Sequence, residues 1–293
     1  MHSPGRGFTA TDTMLFLMAT IWAVNFSVVK FATQIFTPLA FTGLRVAMAS
    51  VVLIAIAIVS KSPWPGRRDI LILLGIGVLG HGVYQLLFVE GLSRTRAGHA
   101  ALIVAAAPAF IVVASRIRGI ERVKRKMLIG IALSVVGVGL ILSDSAHGAA
   151  GEATLTGSLL MVAAVLTWTT FTVLLQPYTL LFSPLKLSAI TMVGGLVPLL
   201  VVSGPALAAT EWAAVPMSAW AAVFYASILS MVVAYLFWYR GIKLLGPTRT
   251  SVYSNIQPVI ALGIAWIFLS EIPTPWQAIG AGTIITGVLF TRA

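Results

Sequence analysis

Apolar residues run almost unbroken along this chain, in stretches of about 20 separated by short polar segments. A helix that crosses the hydrocarbon core of a bilayer needs about 20 mostly apolar residues. Ten such stretches fit, at roughly 12–33, 38–60, 69–90, 95–115, 126–143, 157–177, 184–203, 218–240, 247–269 and 275–291, with ends placed to within about 2–4 residues. The runs are continuous rather than alternating, so helices are favoured over a membrane barrel, and each helix satisfies its own backbone hydrogen bonds. No connection is long enough for a soluble domain. The pattern predicts an all-α membrane protein with ten transmembrane helices.

Composition agrees. The chain has 293 residues, 59% hydrophobic and only 9% charged, with a mean hydropathy of +1.00, whereas about a quarter of a soluble domain is charged. The net charge of +11 would suggest nucleic acid if the basic residues formed a patch. They sit instead between the apolar runs, as topology-setting charges do, so no nucleic-acid partner is expected. An N-terminus in the cytoplasm collects Arg67, Arg68, Arg116, Arg118, Arg122, Lys124, Arg125, Arg240 and Lys243 inside and leaves little more than Arg94 and Arg96 outside. Both termini are then cytoplasmic. The absence of cysteine excludes disulfides and thiolate metal sites. The first run holds Trp22, Asn25 and Lys30 without a clear small-residue cleavage site, and reads as a retained span rather than a signal peptide.

The chain also repeats itself. An offset of 150 places Gly91 on Gly241, Pro108 on Pro258, Glu121 on Glu271, Gly130 on Gly280 and Gly137 on Gly287 without a gap. Gly and Pro set backbone geometry, so their coincidence in register marks a duplicated fold better than matching Leu or Val. With the offset changed to 146, Trp22 meets Trp168 and Pro38 meets Pro184. The change is absorbed around 60–70 against 203–220, where Pro63, Pro65, Gly204 and Pro205 are read as loop markers. The halves are then 1–143 and 157–293, five spans each. An odd number of spans sends the second copy in from the opposite side, an inverted repeat.

Trp22-x-x-Asn25-Phe26 with Arg45 early in the chain, and Pro, Glu, Gly, Gly recurring as Pro108/Glu121/Gly130/Gly137 and Pro258/Glu271/Gly280/Gly287, resemble the EamA family of the drug/metabolite transporter superfamily. The likeness runs from about residue 12 to 291. It implies a secondary transporter of the bacterial inner membrane that exports aromatic and other neutral amino acids, or related metabolites, through a central cavity between the halves. The expected partners are a small-molecule substrate and the lipid bilayer, with no cofactor and a monomeric chain. Phe171 replaces Asn25 and Thr191 replaces Arg45 in the second copy, so the early motif survives once.

Candidate site residues follow from helical spacing. His81, Tyr84, Gln85 and Phe88 fall at i, i+3, i+4 and i+7, one face of a helix, and the offset of 150 carries that face onto Met231, Ala234, Tyr235 and Trp238. The face either packs against other helices or lines a cavity; a His and a Gln at bilayer depth favour the cavity. Trp22 and Trp168 lie about a dozen residues into their spans, too deep for interfacial anchors, which leaves packing or pathway. Asn25 shares the face of Trp22. Tyr253, Asn255 and Gln257 give the ninth span a polar stretch whose amides need partners that lipid lacks; they face substrate or bond between helices. Pro108 and Pro258 each remove a backbone hydrogen bond, as static kinks or as paired hinges. Arg45, about two turns into the second span, neutralises an anionic group or satisfies helix-end carbonyls. Glu271 reads as a solvated charge before a turn.

The chain lacks a Gly-x-x-x-x-Gly-Lys-[Ser/Thr] phosphate loop, which excludes an ATP-driven pump of that class. No Asp or Glu lies near the middle of any span, so a carboxylate relay is not expected, and movement down a gradient is the simplest mechanism. No metal cluster and no Ser–His–Asp grouping assembles at one depth, which weighs against an intramembrane enzyme. Nucleotide sugars would want several cations in the cavity and cationic drugs a carboxylate. A passive channel is a further alternative.

Overall fold

In the computed structural model, residues 9–120, 125–146 and 154–292 are described, and all regular structure among them is helical. The helices are α1 (Ala10–Ala32), α2 (Pro38–Val59), α3 (Arg67–Ser93), α4 (Ala97–Ile117), α5 (Arg125–Ala146), α6 (Leu155–Leu181), α7 (Pro184–Ala208), α8 (Met217–Leu245), α9 (Pro247–Leu269) and α10 (Pro275–Arg292). All but α5 and α10, eight in total, are long and apolar enough to cross a membrane by length and composition. Glu121, Arg122, Lys124 and Glu152 lie outside the described residues.

Local chemistry sets the helix starts. Thr9 and Asp12 close a capping box at the head of α1. Thr37 caps α2 ahead of Pro38, and Ser183 caps α7 ahead of Pro184, so equivalent helices begin with the same device. One loop assignment from sequence is corrected: Gly204 and Pro205 lie within the last turns of α7, which continues to Ala208. The α6 helix likewise passes through Pro177 to Leu181. A proline near a helix end removes one backbone bond, and in an apolar setting the remaining bonds keep the chain helical.

Four helices are interrupted, in matched pairs. A π-helical segment occupies Val78–Val83 in α3 and another occupies Tyr225–Val233 in α8; their last residues coincide at the offset of 150. The α4 helix breaks at residues 105–106, and α9 passes through a 3-10 turn over Tyr253–Ile256. Pro108 and Pro258 then stand in the first turn of the resumed helices. There each missing N–H leaves a carbonyl four residues back without its helical donor, which is why the break precedes the proline.

Equivalent helices run antiparallel where they touch. Along the α5–α10 contact a Cβ on Gly287 would sit 2.5 Å from the Gly130 carbonyl oxygen, and one on Gly137 would sit 2.8 Å from that of Gly280. The residue number rises on one helix as it falls on the other. The α2–α7 contact behaves alike: Gly43 meets Ser203, while the Lys186 ammonium donates to the Ala57 carbonyl. The α5 and α10 backbones approach closely enough to exclude any side chain at these glycines. Replacing Gly287 by Leu should therefore cost about 1–3 kcal/mol, read as a lower unfolding temperature in detergent. Gly139→Leu, where a Cβ meets open space, should leave it unchanged; equal melting of the two variants would contradict the close contact.

Candidate functional site

A cavity lies between the halves, walled by α1, α2, α3, α4, α6, α8 and α9. Its aromatic wall is continuous. The Trp22 ring centroid lies 5.7 Å from Trp168, 5.6 Å from Tyr235 and 5.5 Å from Trp238, and Tyr84 lies 5.0 Å from Trp168. Such contacts are worth about 0.5–1.5 kcal/mol each beyond the area they bury. Trp22 and Trp168 are equivalent positions, and so are Gln85 and Tyr235, whose side chains join through a 2.9 Å bond from Gln85 Nε2 to the tyrosine hydroxyl. Residues equivalent under a duplication touch each other only on the pseudo-twofold axis. Both pairs line the cavity, which therefore lies on that axis.

Away from the axis the halves differ. Arg45 donates through Nη2 to Gln85 Oε1, and its guanidinium lies 5.5 Å from the Phe41 centroid and 5.8 Å from that of Phe88. Thr191, its counterpart, places Oγ1 2.9 Å from the Tyr239 hydroxyl and 3.3 Å from His81 Nε2. A charged arm thus reaches the axial Gln85 from one half, while its neutral counterpart bonds to His81 and Tyr239.

Of the residues singled out from sequence, Trp22, Asn25, Tyr84, Gln85, Trp168, Tyr235, Trp238, Gln257 and Pro108 are on the cavity wall. His81, Tyr253, Asn255 and Pro258 are not among the lining residues. A π segment holds more than 3.6 residues per turn, so across Val78–Val83 the face expected from ordinary helical spacing rotates. His81 swings behind Tyr235, its ring centroid 4.8 Å away, and shares Nε2 with the Tyr239 hydroxyl at 3.0 Å. In α9 the 3-10 turn replaces the period of 3.6 by one of three. Ser251, Ser254 and Gln257, three apart, line the cavity, while Tyr253 turns away and donates to Asp12 at the head of α1. The spacing of three just before Pro258 was the signal that could have found the serines.

Glu271 is also more than a solvated charge. Its carboxylate accepts from the Ala97 and Gly98 N–H groups, both at 2.9 Å, at the start of α4, where exposed amides and the helix dipole favour an anion. Arg96 donates to the Ile272 carbonyl at 2.8 Å beside it. This clamp joins the halves at the end of the bundle opposite to Ser251 and Ile111. Arg94, the other basic residue expected outside, pairs with Glu90.

The EamA-like transporter family matches residues 9–143 and 155–293. The chain belongs to that family. The two-repeat arrangement of EamA transporters accounts for the pairing of the helix breaks. YyaM of Bacillus subtilis, an uncharacterized transporter, is 27% identical over 94% of this chain and 91% of its own length. A probable terminal-alkyne amino-acid exporter of Streptantibioticus cattleyicolor is 25% identical over 94% of this chain and 91% of its own. A probable amino-acid metabolite efflux pump of Escherichia coli is 25% identical over 93% and 91%. A crystal structure at 20% identity shares the fold, with a TM-score of 0.64 and 96% of each chain covered.

In this EamA transporter Gln85 is both the acceptor for Arg45 and the donor to Tyr235. Gln85→Leu should destabilise the protein by about 2–3 kcal/mol, because it strips a buried charged group of its partner, and thermal unfolding in detergent reads that loss. Tyr253→Phe, off the wall, should leave the affinity for any cavity ligand within about twofold, a change below roughly 0.5 kcal/mol.

Proposed function

We propose that this transporter exports amino acids, aromatic ones among them, from the cytoplasm across the bacterial inner membrane by alternating access of two inverted five-helix halves. The observation that carries this reading is an aromatic cage on the pseudo-twofold axis, broken by amide and hydroxyl groups and one guanidinium. A flat apolar side chain stacks on such rings while its polar head meets the amides. The names of the amino-acid exporters among the relatives point the same way.

In this reading α5 and α10 cross the membrane with the other eight helices, and the halves are 1–143 and 157–293. The basic residues at the start of α3 and at the ends of α4 and α8 support cytoplasmic termini. The lining crosses both breaks, from Val104 to Ile111 on α4 and from Ser251 to Gln257 on α9, with Ile111 and Ser251 toward the cytoplasmic end, while the Glu271 clamp closes the outer one. Pro108 and Pro258 mark where each helix bends when the closed end changes. No Asp or Glu is among the lining residues, so transport follows the substrate gradient without a carboxylate relay. One chain holds the whole cavity and works as a monomer.

Purified protein in liposomes preloaded with labelled phenylalanine should release it in a saturable manner and show counterflow against unlabelled phenylalanine. Trp168→Ala should slow release roughly tenfold, the effect of about 1.4 kcal/mol of lost contact. No release by folded protein, or a linear concentration dependence without counterflow, would contradict the proposal.

A further inference from the structure

The cavity carries one charge, and that charge is incompletely used. Arg45 is 1% exposed and is the one residue with a permanent charge among those lining the cavity. A guanidinium has five N–H donors. One Arg45 nitrogen, Nη2, reaches Gln85 Oε1, and Nε has no hydrogen-bond partner among the described residues. The rings of Phe41 and Phe88 lie beside it and are neutral. An ionised group held out of water with neutral partners is costly unless an opposite charge reaches it, and no Asp or Glu among the described residues pairs with it.

The rings and Gln85 hold the planar head in place before any ligand arrives. That suits a carboxylate, which takes parallel N–H bonds from a guanidinium in a fixed plane. Asn25, on the same wall and 4% exposed, has no hydrogen-bond partner for Oδ1 among the described residues, and a carbonyl oxygen accepts from an ammonium. The second half offers no equivalent: Phe171 stands at the Asn25 position and Thr191 is tied to Tyr239 and His81.

We infer that Arg45 is the carboxylate anchor of the cavity, so that the transporter selects aromatic acids and amino acids over aromatic amines and holds the substrate in one orientation, carboxylate toward the first half. This rests on the reading of the cavity as the substrate site. It also predicts what is rejected: with an arginine on the wall and no acid to offset it, an amine without a carboxylate meets like charge.

The test is ligand binding to the purified full-length protein, followed by tryptophan fluorescence, since three tryptophans line the cavity. The ligands are phenylalanine, 3-phenylpropionate and phenethylamine. Wild-type protein should bind the first two and take phenethylamine about 10- to 100-fold more weakly, the range of a charged hydrogen bond. Arg45→Gln should weaken the two acids by that factor and leave phenethylamine as weak or slightly tighter, and Arg45→Lys should fall between. Equal wild-type affinity for phenylalanine and phenethylamine would overturn the anchor without any variant. So would wild-type affinity for the acids in folded Arg45→Gln. If wild-type protein binds none of the three, the cavity reading fails and the anchor with it.

Discussion

The hydrogen bond from Gln85 to Tyr235 joins the two halves at positions that duplication made equivalent. In a medium without water, polar groups at this depth must find partners inside the protein. Here the partners come from the other copy. From that bond a polar path runs outward through Arg45 on one side, and on the other the Tyr235 ring backs onto His81, which contacts Tyr239 and Thr191. The tryptophans enclose its centre. The cavity, its polarity and the seam between halves thus share one origin.

Symmetry fixes the frame and divergence supplies the chemistry. Antiparallel contact of α2 with α7 and of α5 with α10 follows from glycines and small residues repeated in both copies. The same holds for the π segments and the breaks before Pro108 and Pro258. The groups that give the cavity its direction are those not repeated: Asn25 against Phe171 and Arg45 against Thr191. In one copy a buried cation faces the cavity. In the other, a hydroxyl closes a local network that props up Tyr235 and Tyr239.

Much of this was legible beforehand, because glycine, proline and apolar run length act locally. The all-helical architecture, helix starts at Pro38 and Pro184, and the register between Trp22 and Trp168 follow from such residues. The wall was legible wherever the helix stayed regular, as for Tyr84, Gln85, Trp22 and Asn25. It was illegible where the period changed. His81 and Tyr253 were misplaced because π and 3-10 turns rotate a face without leaving a mark in composition. Glu271 was missed for another reason: its partners, the amides of Ala97 and Gly98, belong to backbone that only the tertiary fold brings near.

The inverted relation of the halves is open to a direct measurement, since the chain has no cysteine and any that is introduced reports alone. Cysteines at Ser62, in the α2–α3 connection, and at Thr210, in the equivalent α7–α8 connection, can be probed in intact cells with a membrane-impermeant maleimide. Inverted halves require labelling at residue 210 and protection at residue 62 until the membrane is opened. Labelling of both from the same side would contradict the inversion and the axis on which the cavity stands.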